Sequence, residues 1–513
     1  MPEVVIPERF NAAEYFVDRN IREGHGNNTA VLYQDQEITY REVAEKVNAT
    51  GHALLDLGVE VENRVVLLLL DSPAFVYSFF GAIKIGSVPV PLNTNLTTDD
   101  YRTVLNDTRA KVLIVSEALL PAVEPILSDL PYLRQVVVDG EPGTHQSFER
   151  MLEGQPTELE AASTSKDDPA FWLYTSGTTG YSLGAVHLHH DMLVCVQLYS
   201  EPILRIRETD RTFSIAKLFF AYGLGNALYF PFAVGASTVL YPGRPEPKAI
   251  FDVVNRYRPT VFYGVPTAYA AMLHAAESGA QVDMSSVRIA VSAGEPLPAS
   301  IYQRWLERFG VEILDGIGST EILHIFLSNR EGAARPGSSG QLVDGYEARI
   351  VDDAGEPVPT GEIGNLWIKG DSIAAYYWNK HDATKRTFQG EWIRTGDKYR
   401  VDEDGYYWYA GRANDMLKVG GIWVSPNEVE SAIIEHPRVL ECAVVGHADA
   451  EGLIKPKAFV VLKDGEPHEA LAGELQEFVK GRIAPYKYPR WVEFVPELPK
   501  TATGKIQRFK LRA

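Results

Sequence analysis

The chain has 513 residues, 45% hydrophobic and 23% charged, a soluble globular balance too long for one core. Its net charge of −19 argues against nonspecific nucleic-acid binding and, more weakly, against anionic membranes, so any polyanion must be met by local donors. Cys195 and Cys442 lie far apart without metal-ligand spacing, which fits a reducing, cytoplasmic setting. The N-terminus lacks a basic start with a long apolar stretch, and the apolar run "VVLLLL" is too short to span a bilayer.

Short apolar runs recur along the chain: "RVVLLLL", "KVLIVS", "QVVVD", "AFWLYTS", "ASTVLYP", "PTVFYGV", "RIAVSAG" and "VEILDGIG". They read as strands buried on both faces. Helical patterns such as "YREVAEKVNATGHALLDLG" and "SIYQRWLERFG" lie between them. The alternation predicts an α/β fold with largely parallel sheets. Near Gly340 the pattern changes, and "YEARIVDDAGEPVPTGEIGNLWIKG" alternates with turn signals as antiparallel β structure does. After "YYWYAGRANDMLKVGG" comes a compact α+β module of about a hundred residues. Its helices are predicted at "SPNEVESAIIEH" and "ALAGELQEFVKGRI", its strands at "ECAVVGHA" and "KAFVVLKDG". The division expected is 1–412 as a large N-terminal domain of mixed and parallel sheets with a β-rich subdomain, and 413–513 as a small mobile lid.

"YTSGTTG" sets glycines and hydroxyl residues after a strand. Successive backbone N–H groups there can form an anion-binding concavity, and Thr175, Ser176, Thr178 and Thr179 add donors. An ordinary strand-to-helix turn is the competing reading. It is not a Walker loop, because GxxxxGK[ST] is absent. "DGIGSTE" joins another strand end to an acid, Glu321, whose hard oxygens suit Mg²⁺. Asp397 follows Thr-Gly, where a carboxylate could accept from ribose hydroxyls, and Lys505 lies on a Gly/Thr-rich tail. "HLHH" (His187, His189, His190) carries no spaced Cys or carboxylate set expected of a metal site, and "YYWYAGR" reads as a packed domain junction.

In this order the motifs strongly resemble the adenylate-forming superfamily of acyl-CoA synthetases, adenylation domains and luciferases. The likeness is greatest to benzoate-type aryl-CoA ligases. It is carried by "PERFNAAEYFVDRN", "YTSGTTG", "LFFAYGLGNALYFP", "SAGEPLP", "DGIGSTEILHIFLSN", "RTGDKY", "GRANDMLKVGGIWVSPNEVE" and "PKTATGKIQR". The resemblance implies ATP, Mg²⁺ and coenzyme A, an aromatic acid substrate, and a C-terminal domain that rotates between two half-reactions. A homodimer is compatible with it.

It also implies roles. Thr175, Ser176, Gly177, Thr178, Thr179 and Gly180 would wrap the β- and γ-phosphates. Gly294, Glu295 and Pro296 would sandwich the adenine with Asp315, Gly316 and Ile317. Thr320 would touch the α-phosphate, Glu321 would bind Mg²⁺, and Asp397 with Arg412 nearby would hold the ribose. Lys505 would stabilise charge developing at the α-phosphoryl group, and Gly420 and Gly421 would line the pantetheine channel.

The acyl slot would be built from Ala221, Tyr222, Gly223, Gly318, His324 and Ile325. Ala221 and Gly223 leave room, while Tyr222, His324 and Ile325 offer flat or apolar walls for a planar ring, with plain core packing as the alternative for Tyr222 and His324. Phe219-Phe220-Ala221 has no acid to meet an α-amino group, so an amino acid substrate is not expected. Little chain follows Lys505, so no attached carrier domain is expected either.

The sequence departs from the family in two places. Ser182-Leu183-Gly184 stands where Pro-Lys-Gly is usual, and Asn414, beside Asp415, stands where the hinge is usually Asp or Lys. Rival readings are a stand-alone adenylating enzyme that loads a carrier protein, and a ligand-binding relic with an impaired loop.

Overall fold

The computed structural model describes residues 4–175, 183–412, 415–419, 422–449, 453–500 and 506–512. A nine-stranded sheet carries the centre of the molecule. Its inner strands Thr29–Tyr33, Ser237–Leu240, Arg211–Ser214, Val261–Gly264, Ile289–Ser292 and Ile313–Gly318 are mutually parallel. Antiparallel strands close both edges. A second, five-stranded sheet is wholly parallel and includes Arg64–Leu68, Val112–Ser116 and Gln135–Asp139. Here the expected α/β architecture is found.

Between the sheets lies the main core. Helix Pro73–Lys84 contributes Phe75, Phe79, Phe80 and Ile83, all fully buried, which is why it reads as apolar all round. Helix Tyr40–Asp56 starts at a capping box in which Thr39 and Glu42 satisfy each other's backbone donors.

The run "AFWLYTS" departs from expectation. Strand Pro169–Thr175 pairs antiparallel with Leu183–Leu188, which in turn pairs with Tyr376–Tyr377. Thr175 faces Leu183 in register, so the next described element is a second antiparallel strand and not a helix. Burial on both faces misled the pattern: Phe171 and Leu173 enter the main core, and Trp172 enters a separate cluster with Leu68, Leu113 and Val138. Two-sided burial reports solvent exclusion, not strand direction.

Antiparallel structure follows as expected. Glu347–Val351, Gly364–Lys369, Trp392–Val401, Phe388–Gln389 and Tyr407–Arg412 form one five-stranded sheet, and Gly364–Lys369 alternates buried with half-buried residues.

The C-terminal unit has its own core, with Val429, Ile433, Val444, Val460, Leu471, Leu475 and Val479. Helices Pro426–Ile434 and Leu471–Lys480 pack with strands Val439–Ala448 and Ile454–Leu462. A further strand, Trp491–Phe494, pairs parallel to Ile454–Leu462, and its half-exposed residues carry no clear sequence signal. Among the described residues no helix is long and apolar enough to cross a membrane.

Candidate active site

Gly294, Glu295 and Pro296 follow strand Ile289–Ser292, and Thr320 and Glu321 follow strand Ile313–Gly318, at the C-terminal ends of central parallel strands, where ligands of open α/β sheets bind. Strand Ile289–Ser292 runs into Gly294, whose φ of 93° lies in the left-handed region that glycine adopts without cost. Its neighbour Ile313–Gly318 sets Asp315 opposite Ser292 in register. Leu297 N–H donates to Asp315 Oδ2 at 3.4 Å, which ties the Gly294–Glu295–Pro296 segment to Asp315–Gly316–Ile317. Both halves of the expected adenine sandwich are therefore adjacent.

Asp315 is 5% exposed, and burial pushes its carboxyl up to about 8. A raised acid binds more protons folded than unfolded. Its stabilising contribution is complete below the unfolded value and is lost as pH rises toward about 8. Asp315→Asn keeps an acceptor for Leu297 and should flatten the fall in urea midpoint between pH 5 and pH 8. An unchanged slope would show that Asp315 does not set it.

Strand Ile313–Gly318 ends in the turn Thr320–Ile322, whose carbonyls are each held from outside. Thr320 O accepts from His187 Nε2 at 2.7 Å, and His187 Nδ1 faces Asp191 Oδ2 at 2.6 Å. Glu321 O accepts from Ala374 N–H at 2.7 Å, and Ile322 O from the Ser372 hydroxyl at 2.8 Å. Tyr346 and Ser372 share a 2.7 Å hydroxyl contact behind it. The turn leaves through Leu323, fully buried at φ 70°, a sparsely populated conformation for a non-glycine residue. Such strain persists only where the surroundings over-determine it.

Glu321 projects its carboxylate from this turn, and the Tyr377 phenol donates to Oε1 at 2.7 Å. Among the described residues Oε2 has no hydrogen-bond donor, and no cluster of metal-ligating side chains forms a complete cage. One oriented carboxylate with an open oxygen fits Mg²⁺, which is usually held by one or two carboxylates together with substrate phosphates.

Asp397 and Arg412 face each other across strands Trp392–Val401 and Tyr407–Arg412. Arg412 Nε lies 3.1 Å from Asp397 Oδ1, with Asp397 side chain 8% and Arg412 43% exposed. Asp397, then Tyr409, Glu321 and Asp415, raise the guanidinium above its ordinary range against the opposing effect of burial. Asp397 and Glu321 thus share one field.

The acyl segment is a short helix, Ala221–Leu224, that widens into the π-helical turn Gly225–Tyr229. Such turns recur at functional sites. Tyr222 lies 5.7 Å from His324 between ring centroids, and its hydroxyl donates to Gly264 O at 3.2 Å and Val291 O at 3.1 Å. Phe230 packs edge-on to His324 at 4.5 Å. His324 is 2% exposed, and burial lowers it to about 3, so it is neutral here. Its Nε2 faces Asn226 Oδ1 at 3.1 Å. A carboxamide oxygen only accepts, so the proton sits on Nε2 and Nδ1 is an acceptor. Asn226 lay within the quoted "FFAYGLGN", but no spacing rule pairs it with His324.

The glycines of this region serve a different purpose from that expected. A Cβ at Gly223 would stand 2.1 Å from Lys217 O, and one at Gly318 2.5 Å from His324 O. These are places where backbones meet, not room left for a ring. Ile325, 1% exposed, belongs to strand Ile325–Ser328. The histidine run also differs: His187 does have a carboxylate partner, Asp191, but the pair supports a carbonyl. His189 Nδ1 accepts from Ala12 N–H at 3.1 Å, and His190 reaches Lys166 O and Asp371 O.

Ser176, Gly177, Thr178, Thr179, Gly180, Ser182, Asn414, Gly420, Gly421 and Lys505 lie outside the described residues. Their flanks are described. Thr175 ends its strand, and Leu183 packs in a small apolar cluster with Ala185, Ala374, Tyr377 and Phe388. Asp415 pairs with Arg512. Beside Lys505, Lys500 bridges to Ile506 and its Nζ meets Glu441 Oε1 at 2.6 Å. Arg508 grips Glu430 at 2.7 Å and 2.9 Å.

Comparison with known proteins agrees over the whole length. Residues 17–378 match the family of AMP-binding enzymes and residues 428–505 the AMP-binding enzyme C-terminal domain. A benzoate–CoA ligase of Thauera aromatica is 52% identical over 100% of this chain and 97% of the relative. The crystal structure of the anthranilate CoA ligase AuaEII with anthranoyl-AMP superposes with a TM-score of 0.95 at 49% identity, covering 99% of this chain and 97% of that one. A benzoate CoA ligase from Burkholderia xenovorans LB400 gives 0.92 at 48%, covering 98% and 100%. The chain belongs to the AMP-binding, adenylate-forming enzyme family, with a large N-terminal and a small C-terminal domain.

Proposed function

We propose that this protein is an ATP-dependent aryl-acid–CoA ligase of the benzoate type, AMP-forming, in which 1–412 binds nucleotide and acid and 413–513 carries Lys505. What supports this reading is that Arg412 lies in the field of both Asp397 and Glu321, and that Glu321 stands three residues before His324, the ring neighbour of Tyr222, in a chain similar throughout to benzoate CoA ligases. Separate apolar cores support the division of the chain.

In the first half-reaction a carboxylate oxygen of the acid attacks the α-phosphorus of ATP, the bond to the β-phosphate breaks, and pyrophosphate leaves. In the second the CoA thiol attacks the acyl carbon, loses its proton, and displaces AMP. Asp397 is positioned to accept from ribose hydroxyls while Arg412 fixes its orientation. Gly294 to Pro296 and Asp315 to Ile317 flank the base, and the Thr320 turn stands at the α-phosphate. Lys505 meets the developing charge, Thr175 to Gly180 the departing phosphates, and Gly420 with Gly421 the pantetheine arm. Bound Mg²⁺ neutralises phosphate charge, and Glu321 is its protein ligand. His324, neutral and walled by aromatic rings, makes a low-dielectric slot for a flat ring. We place the enzyme in the cytoplasm, supported by two buried free cysteines.

Benzoate with ATP and Mg²⁺ should yield benzoyl-CoA, and benzoate should exceed octanoate in kcat/KM. A clear preference for octanoate would refute the aromatic pocket. Transfer to a carrier protein in place of CoA would establish the adenylating rival, and absence of any adenylate the relic.

The lysine-free loop bears on ATP alone, because the tail phosphates leave before CoA arrives. Ser182→Pro with Leu183→Lys should raise kcat/KM for ATP about ten-fold by restoring a charge-assisted contact. The lysine stem can cover the apolar cluster that Leu183 now fills. Thioester formation from presynthesised benzoyl adenylate should not change. Equal gains in both steps would show that the loop acts through general stability.

A further inference from the structure

We propose that Tyr377 is a positioning residue for the divalent cation, holding one oxygen of Glu321 so that the other is presented to the metal. This inference rests on the ligase reading above. Tyr377 pairs with Ala185 on strand Leu183–Leu188, so it stands on the hairpin that carries the phosphate segment. Its ring is 4% exposed and packs edge-on against Phe388 at 5.2 Å. That packing holds the ring where its hydroxyl donates to Glu321 Oε1 at 2.7 Å.

A phenol carries one O–H, which it gives to the acceptor-only carboxylate. The same stretch of chain supplies Ser372 and Ala374 to the carbonyls of Ile322 and Glu321. Backbone and side chain of the metal carboxylate are thus both held by 372–377. Partners of this kind fix the rotamer of a metal ligand before the metal arrives, and losing one commonly weakens metal affinity.

Tyr377→Phe keeps the ring and its packing and removes only the O–H donor. The direct measurement is Mn²⁺ binding in the presence of ATP, followed by electron paramagnetic resonance. Affinity should fall about ten-fold, the lower range for partners that support a metal ligand. The Mg²⁺ concentration for half-maximal adenylation should rise by the same factor. Thioester formation from presynthesised adenylate should not change. In a Glu321→Ala background the second substitution should cost nothing further, because Tyr377 acts through that carboxylate. Variants are compared at equal folded fraction, measured by calorimetric unfolding, so that loss of fold is separated from loss of affinity. Unchanged Mn²⁺ affinity, additive losses in the double variant, or equal losses in both half-reactions would each overturn the proposal. If the unaltered enzyme makes no aryl-CoA, the ligase reading fails while the Mn²⁺·ATP measurement still reports on Tyr377.

Discussion

Lys505→Ala should nearly abolish benzoyl adenylate formation and leave thioester formation from presynthesised benzoyl adenylate close to the unaltered rate. The cation is needed only while negative charge builds at the α-phosphoryl group. Removing one preorganised electrostatic partner of that kind typically costs about 10²–10³ in rate. In the proposed reaction the thiol attacks after pyrophosphate has gone, by the approach assigned to the lysine during adenylation. The flanks of 501–505 are tied down on both sides, by Lys500 to Glu441 and by Arg508 to the 9%-exposed side chain of Glu430. The substitution should therefore remove a charge without loosening the C-terminal core, and the urea midpoint should hold. Pyrophosphate exchange measures the first step and rapid-quench thioester formation the second. Equal losses in the two would refute the role assigned to Lys505.

Gly223→Ala should destabilise the fold before it alters any kinetic constant. The added methyl would meet Lys217 O at 2.1 Å and Ala216 O at 2.4 Å, both backbone atoms. A rotamer change cannot relieve that contact, so the segment 216–220 or the helix Ala221–Leu224 must move. Leu218 N–H donates to buried Asp71 at 3.1 Å, which resists the shift. Overpacking a tight core usually costs about 1–3 kcal/mol, and a clash with backbone belongs at or above the upper end. The expected result is a clear fall in urea midpoint, with soluble yield reduced. Benzoate KM should change in the folded fraction only as far as the acyl helix is displaced. A variant as stable as the original, but with altered acid preference, would return Gly223 to the role of pocket spacer.

Much of this protein is legible in its amino-acid order. Four inner parallel strands, Ser237–Leu240, Val261–Gly264, Ile289–Ser292 and Ile313–Gly318, the Tyr40–Asp56 helix, and the switch to antiparallel structure after Gly340 follow from periodicity and turn chemistry, which are local properties. The C-terminal helices and the strands Val439–Ala448 and Ile454–Leu462 are legible for the same reason. Asp315, Glu321, Asp397 and Arg412 are marked by short motifs, and the structure sets Asp397 beside Arg412.

Tertiary structure alone decided the rest. Strand direction at Pro169–Thr175 depends on which neighbour it meets, and burial on both faces is the same for either direction. The purpose of Gly223 and Gly318 depends on what a missing Cβ would strike, and those atoms come from other turns. His187 lies 133 positions from the Thr320 carbonyl it supports, and Asn226 lies 98 from His324. Tyr377 is 56 positions from Glu321 and shares no motif with it. Residues so distant in order are brought to hydrogen-bond range only when the sheets and the hairpin pack, because the apolar burial that drives packing is non-directional and names no partners.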